Sequence, residues 1–236
     1  MPILKTMNNS AAPPPSIDSA RAIHRGAIVW VLAIQFFIAQ IIVQAAWTTS
    51  FSLLANYISD LGNTTCGPYP VGSNMYVCSP WHAWMNASFI MLGVIILVGA
   101  ALIYHAFPAG RMRTVGLVLL ALAGPGEILV GLFPENVNIT PHSIGAAAHF
   151  VSGNLGIVVL GIAIAVTRRQ TPLAVYSIIL GSVGLLATAL FVSGHYLGMG
   201  IGGIERIAAY PLPLWLIVVG VVLLRLGSTN AFIDLQ

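Results

Sequence analysis

Charge is what this chain has least of. Only 6% of its 236 residues are Asp, Glu, Lys or Arg, where a soluble domain carries about 25%. So few charges cannot coat a water-facing surface, so most of the surface must meet lipid; 58% of the residues are hydrophobic. The nine Lys and Arg form no patch, and no zinc-finger spacing or arginine-rich run occurs. Nucleic acid is therefore excluded as a partner. The chain has no phosphate-binding loop ending in Gly-Lys-Ser/Thr, no His-Glu-x-x-His and no visible internal repeat. Cysteine is scarce too. Cys66 and Cys78 lie in one polar loop, so a disulfide formed in an oxidising compartment is expected, with two free thiols as the alternative.

What is there is long apolar runs. A membrane span needs about 20 mainly apolar residues. Six segments qualify: Gly26 to Trp47, Ala83 to Tyr104, Val115 to Phe133, Ser143 to Val166, Leu173 to Val192 and Ala208 to Leu226. The expected fold is all-α, a polytopic bundle of six transmembrane helices. Lys5, Arg21, Arg25, Arg111, Arg113, Arg168, Arg169 and Arg225 then share one side, with only Arg206 opposite. By the positive-inside rule both termini are cytoplasmic. Residues 1–25, with Pro13, Pro14 and Pro15, read as a disordered cytoplasmic tail. Residues 26–226 form the transmembrane domain, with outer loops at 50–82 and 193–207, and 227–236 form a second cytoplasmic tail. Val43-Gln44-Ala45 resembles a signal-peptide cleavage site. The apolar run before it is longer than the usual ~7–15 residues, so a retained anchor is expected.

The polar residues are unevenly spread. Asp60, Glu127, Glu135 and Glu205, and His82, His142, His149 and His195, all fall at or near the outer side. An ionisable residue within a span marks a functional site by default. Glu127 stands ~9 Å inside the outer end of span three. It follows Gly124-Pro125-Gly126, where a helix break is expected. His142 and His149, seven residues apart, share a face of span four, and the depth of His149 predicts contact with Glu127. Glu127, His149 and Asp60 are thus the candidate catalytic residues; the alternative is a packing network. His82, His142, His149 and His195 are candidate metal ligands, and a divalent metal such as zinc is what they would hold. Ser59, Asn86, Glu205 and Arg206 are candidate substrate contacts, Arg206 for a lipid phosphate. Ser59 and Asp60 read equally well as a cap or turn. Four glycines between Tyr196 and Arg206 predict a flexible loop.

Three stretches carry a resemblance: Asn56-Tyr57-Ile58-Ser59-Asp60-Leu61-Gly62; Gly131-Leu132-Phe133-Pro134-Glu135-Asn136, followed by His142; and the last glycine-rich loop. From about Phe51 to Leu226 the chain resembles the small bacterial membrane proteins of the domain of unknown function 998 family. The resemblance implies a six-helix bundle, multi-pass in a bacterial plasma membrane, and no activity. A more distant likeness is to the CREST membrane hydrolases, which use Ser, Asp and three His around zinc. Ser59, Asp60 and the outer histidines supply those residue types, but the seventh helix and the His-x-x-x-His pair are missing. The expected function is an enzyme, metal-dependent or acid–base, acting on a lipid or isoprenoid in the outer leaflet. The alternatives are a transporter with a broken third helix and a non-catalytic binding or assembly subunit with a protein partner.

Overall fold

The computed structural model describes residues 17–228 apart from Ser73 and Arg169. Lys5, Arg169, most of the first tail and nearly all of the second lie outside the described residues. Six helical segments are long and apolar enough to cross a membrane. Helix α1 (Ile17–Val31) and α2 (Ile34–Ala45) make the first, joined by a tight turn in which Ala33 N–H donates to Trp30 O. The second and third are α3 (His82–Leu102) and α4 (Arg111–Leu132). The fourth is α5 (Ile139–Ala147), a π-helical turn (Ala148–Gly153) and α6 (Asn154–Thr167). The fifth is α7 (Thr171–Val192). The sixth is α8 (Gly200–Ala209) running into α9 (Pro211–Ser228). The outside of the bundle is apolar, with Ile41, Leu122, Leu186 and Val192 exposed, as a lipid-facing surface requires.

Two expected boundaries move. Helix starts at Ile17, so residues 17–25 are helical rather than tail; Asp18 sits favourably in the first turn. The glycine-rich stretch expected as a loop to residue 207 is helical from Gly200. Its glycines permit close approach rather than flexibility. A Cβ on Gly202 would collide with the Asn56 carbonyl, and Gly202 N–H donates to Leu54 O at 2.9 Å. Gly194, Gly198 and Gly200 have positive φ and shape the turn before it.

The break expected at Pro125 is not where the helix breaks. Helix α4 runs from Arg111 to Leu132 with Pro125 inside it. The irregular backbone is in span four, at the π-turn. The loosened carbonyls there are satisfied by side chains: Ser152 Oγ donates to Ala148 O, and Asn154 Nδ2 donates to Phe150 O (2.7 Å) and to Ala208 O (2.9 Å). This is how a membrane helix tolerates a bulge.

The helices meet through small residues, as lipid-immersed bundles do. Gly124 faces α3, where a Cβ would press on Leu97 and the Gly93 carbonyl. Gly126 faces span four, where a Cβ would lie 2.6 Å from Gly145 O and 2.8 Å from Ala148 Cβ. Near the arginine-bearing end the core is aromatic: Trp215 packs against Trp30 and Phe107, and its Nε1 donates to Ser177 Oγ at 2.8 Å.

At the opposite end, residues 46–81 fold over the bundle. A two-residue hairpin pairs Gly67–Pro68 with Tyr76–Val77 and is closed by the Cys66–Cys78 disulfide. A 3-10 turn, Ser59–Gly62, is buried beneath it.

The Gly126 contact yields a direct test. Gly126→Val should destabilise the protein by about 1–3 kcal/mol, the usual cost of overpacking. Gly67→Ala, where an added methyl meets nothing within 4 Å, should leave thermal unfolding in detergent unchanged.

Candidate functional site

The site forms where the buried 3-10 turn meets spans three, four and six. Its first pair is Ser59 and His142, with Oγ and Nε2 2.9 Å apart. The other ring nitrogen, Nδ1, lies 2.9 Å from Phe133 O. A carbonyl can only accept, so Nδ1 carries the proton and Nε2 is the acceptor. The Ser59 hydroxyl therefore donates to a neutral imidazole. That is the relation of a nucleophile to its base, with a backbone carbonyl orienting the ring.

The second pair is Glu127 and His149, one layer deeper. Oε2 lies 2.8 Å from Nδ1, and both side chains are almost fully buried. The residues expected to touch from their matching depth do touch. The contact is not in line for a ring N–H bond. His149 Nε2 faces Ala209 O at 3.3 Å and so carries a hydrogen. The pair is a close, buried contact between an acid and an imidazole. The π-turn carries His149, and the Gly126–Gly145 approach brings its helix against that of Glu127.

The third pair, Asp60 and Glu135, stands at the loop side. Asp60 Oδ2 accepts from Asn56 Nδ2 (3.0 Å) and from the Tyr57 N–H (2.9 Å). Each carboxyl leaves one buried oxygen with no hydrogen-bond partner, Oδ1 of Asp60 and Oε1 of Glu135. The two acids lie close enough to act on one another's protonation, and like charges held together in a buried site oppose ionisation of both. Burial pushes Asp60 above the usual carboxylate range. Burial and then the charge of Asp60 push Glu135 well above that range.

Two spaces adjoin these pairs. A cavity of about 540 Å³ is lined at its polar end by Tyr57, Ser59, Tyr69, Glu135, His142 and Glu205. Its other walls are mostly apolar, with Ser143 and Thr188 among them, and Ile139, Val151 and Val192 on them are themselves exposed on the outside of the bundle. The cavity thus opens sideways between spans four and five. A second space of about 20 Å³, near the size of one water, lies behind Ser59 against Glu127, His149 and Glu205. Tyr57 and Tyr69 remain protonated donors. Burial first and then the charge of Glu205 raise Tyr57; burial and then the charges of Glu135 and Asp60 push Tyr69 up to about 12.

Other expected site residues hold the turn instead of lining the cavity with charge. Arg206 Nη1 donates to Leu53 O, Asn56 O and Gly202 O at 3.0, 2.8 and 2.8 Å, strapping the loop to span six. It is not in the wall of either space. Glu205 Oε2 accepts from Ile58 N–H at 2.6 Å, just before Ser59, and also reaches the cavity wall. Asn86 Nδ2 donates to Gly62 O at 2.9 Å.

The four histidines expected to share a metal are dispersed. His82 bonds the Ser79 carbonyl, and exposed His195 bonds Ser193 Oγ, each on its own loop. Among the described residues no three His, Cys, Asp or Glu side chains come together as a ligand set. The reason is local: His82 and His195 turn back onto the chain beside them. Sequence reasoning missed Tyr57, Tyr69 and the function of Glu135. The signal for Glu135 was there, since it belongs to the Phe-Pro-Glu stretch that carries the family resemblance. Only the fold shows that this stretch lies against Ser59-Asp60.

The acid pair gives a pH dependence of defined sign. Groups whose folded values are raised stabilise fully below their ordinary value, and that stability is lost as pH rises through the folded value. Between pH 5 and 9 the melting temperature in detergent should fall, and Glu135→Gln should flatten the fall. Equal slopes in the two proteins would show that Glu135 is not the group responsible.

No curated protein and no solved structure matches the chain. A family model described as Protein of unknown function (DUF998) matches residues 31–222, most of the chain. This multi-pass helical protein therefore belongs to that family of unknown function.

Proposed function

We propose that the protein is a membrane-embedded acyl hydrolase acting on a lipid ester from the non-cytoplasmic leaflet. Ser59 is the nucleophile and His142 its base. The observation that carries this reading is the Ser59–His142 hydrogen bond with the ring tautomer set by Phe133 O, at the wall of a cavity open to the lipid side. Ser59 is buried in a turn held by Glu205 at Ile58, Ser79 at Leu61, Asn86 at Gly62 and Asp60 at Tyr57. Such fixing holds a nucleophile near its productive geometry.

The lining also bears on the reaction class. It contains two carboxyls, Glu135 and Glu205, and no Lys or Arg. A phosphoryl group brings negative charge that cations normally neutralise, so this wall disfavours it. An ester carbonyl is neutral, and the charge that develops on its oxygen needs only hydrogen-bond donors. The Tyr57 and Tyr69 hydroxyls, on the same wall, are such donors. The apolar remainder of the cavity suits a lipid chain. Glu127 and His149 stand behind Ser59 and in this reading are positioning residues, joining span three to span four.

The test is chemical. A fluorophosphonate probe should label the purified protein at Ser59. Ser59→Ala should abolish labelling while leaving the melting temperature close to wild type. His142→Gln should slow labelling about 10²–10⁴-fold, the usual worth of a general base. Labelling at another residue, or none, together with no hydrolysis of long-chain esters, would overturn the reading.

A further inference from the structure

Glu135 has a position that the nucleophile and its base leave unexplained. It sits in the wall of the same cavity as Ser59 and His142. Behind it lies Asp60, one residue after Ser59 and wholly buried. Asp60 takes two N–H donors on Oδ2 and is therefore the better-solvated, ionised partner. Glu135 stands at the cavity face with a buried Oε1 that has no hydrogen-bond partner, where burial and the Asp60 charge favour its protonated form. A carboxylic acid kept neutral beside an ionised one is the arrangement by which two identical groups take different chemical roles.

We propose that Glu135, paired with Asp60, is the general acid that protonates the leaving alcohol of an ester held in this cavity. The inference rests on the acyl-hydrolase reading above. The Ser59 Oγ–carbon bond forms while the hydroxyl proton passes to His142 Nε2. The tetrahedral intermediate then breaks its carbon–oxygen bond to the alcohol, and that oxygen takes the Glu135 proton. This leaves an acyl-serine, an imidazolium and an ionised Glu135. Water attacks the acyl group and returns a proton to Glu135. Ser59 Oγ departs with the proton held by His142. The sum is ester plus water giving acid plus alcohol, with both pairs restored.

A second acid is useful here because His142 has no carboxylate partner. Its Nδ1–H meets a backbone carbonyl, which orients the ring but carries no charge to hold an imidazolium. The substrate class follows. An alkyl alcohol of a glycerolipid is a poor leaving group that must be protonated as it departs, whereas an activated aryl alcohol leaves as the anion.

The experiment compares purified wild-type protein in nanodiscs with Glu135→Gln on two esters of the same long-chain acid, one of 4-nitrophenol and one of an n-alkyl alcohol. Glu135→Gln should lower kcat/KM for the alkyl ester about 10²-fold or more beyond any loss on the nitrophenyl ester. Asp60→Asn should show the same preference, because the amide it introduces can donate to Glu135 and leave it ionised. It supplies the answer where Glu135→Gln fails to fold. Fluorophosphonate labelling of Ser59 in each variant shows that the site is assembled. Equal losses on both esters would mean a structural role and would overturn the inference while leaving the hydrolase reading intact. A wild-type protein that hydrolyses neither ester would overturn both.

Discussion

A polar site inside a lipid-facing bundle survives only if its charges cancel and its hydrogen bonds close. An isolated ion or unpaired amide at membrane depth costs several kcal/mol. Much of the architecture around Glu127, His149, His142 and Ser59 follows from that constraint. Each imidazole has one nitrogen on a backbone carbonyl, Phe133 or Ala209, and the other on a side chain. Glu127 and His149 meet as a close, buried acid–imidazole pair. The π-turn, which by itself would strand carbonyls, is closed by Ser152 and Asn154.

The same constraint explains how the turn at Ser59–Gly62 can be buried. A 3-10 turn under a hairpin exposes backbone groups that lipid cannot satisfy, so the turn can enter the bundle only with partners supplied from elsewhere. Arg206, Glu205, Ser79 and Asn86 supply them. Among the described residues Arg206 is the one arginine at this end, and its place against positive-inside expectation is explained by the carbonyls it holds. Stability and preorganisation are one property here: the bonds that make the turn tolerable also fix the direction of the Ser59 hydroxyl.

The spans were legible because lipid imposes a length and a composition on each helix, and those are local properties. Glu127 and His149 were legible as a pair because helical rise converts residue count into depth. The break at Pro125 was misread. Proline removes one hydrogen bond, yet a helix packed on both sides through Gly124 and Gly126 continues through it without a break. The real irregularity, at Ala148–Gly153, has no proline, and its signals, Ser152 and Asn154, look like ordinary polar residues until their bonds are known. Helix α8 was hidden for a similar reason. Its glycines suggest looseness, whereas their contacts with Leu54 and Asn56 require the absence of a side chain. Ser59 with His142, and Asp60 with Glu135, join parts of the chain more than seventy residues apart. No periodicity encodes such pairings; only the packing of span four beside the loop does.

Depth then separates the three pairs by what each can do. Glu127 and His149 face a space about the size of one water, too small for a substrate. Ser59 stands at the boundary of that space and the larger cavity, with His142 in the wall of the larger one, where the hydroxyl can meet a substrate and the ring can take its proton. Asp60 and Glu135 lie nearest the loop, where the wall includes two tyrosines and the polar end of the cavity begins. The Asp60–Glu135 layer is close to the Arg206 strap, whose charge favours ionised Asp60. A lipid entering sideways between spans four and five would place its chain along Phe150, Val151 and Phe191 and its head toward that charged layer. The ester linkage, which lies between chain and head, would then fall at the level of Ser59.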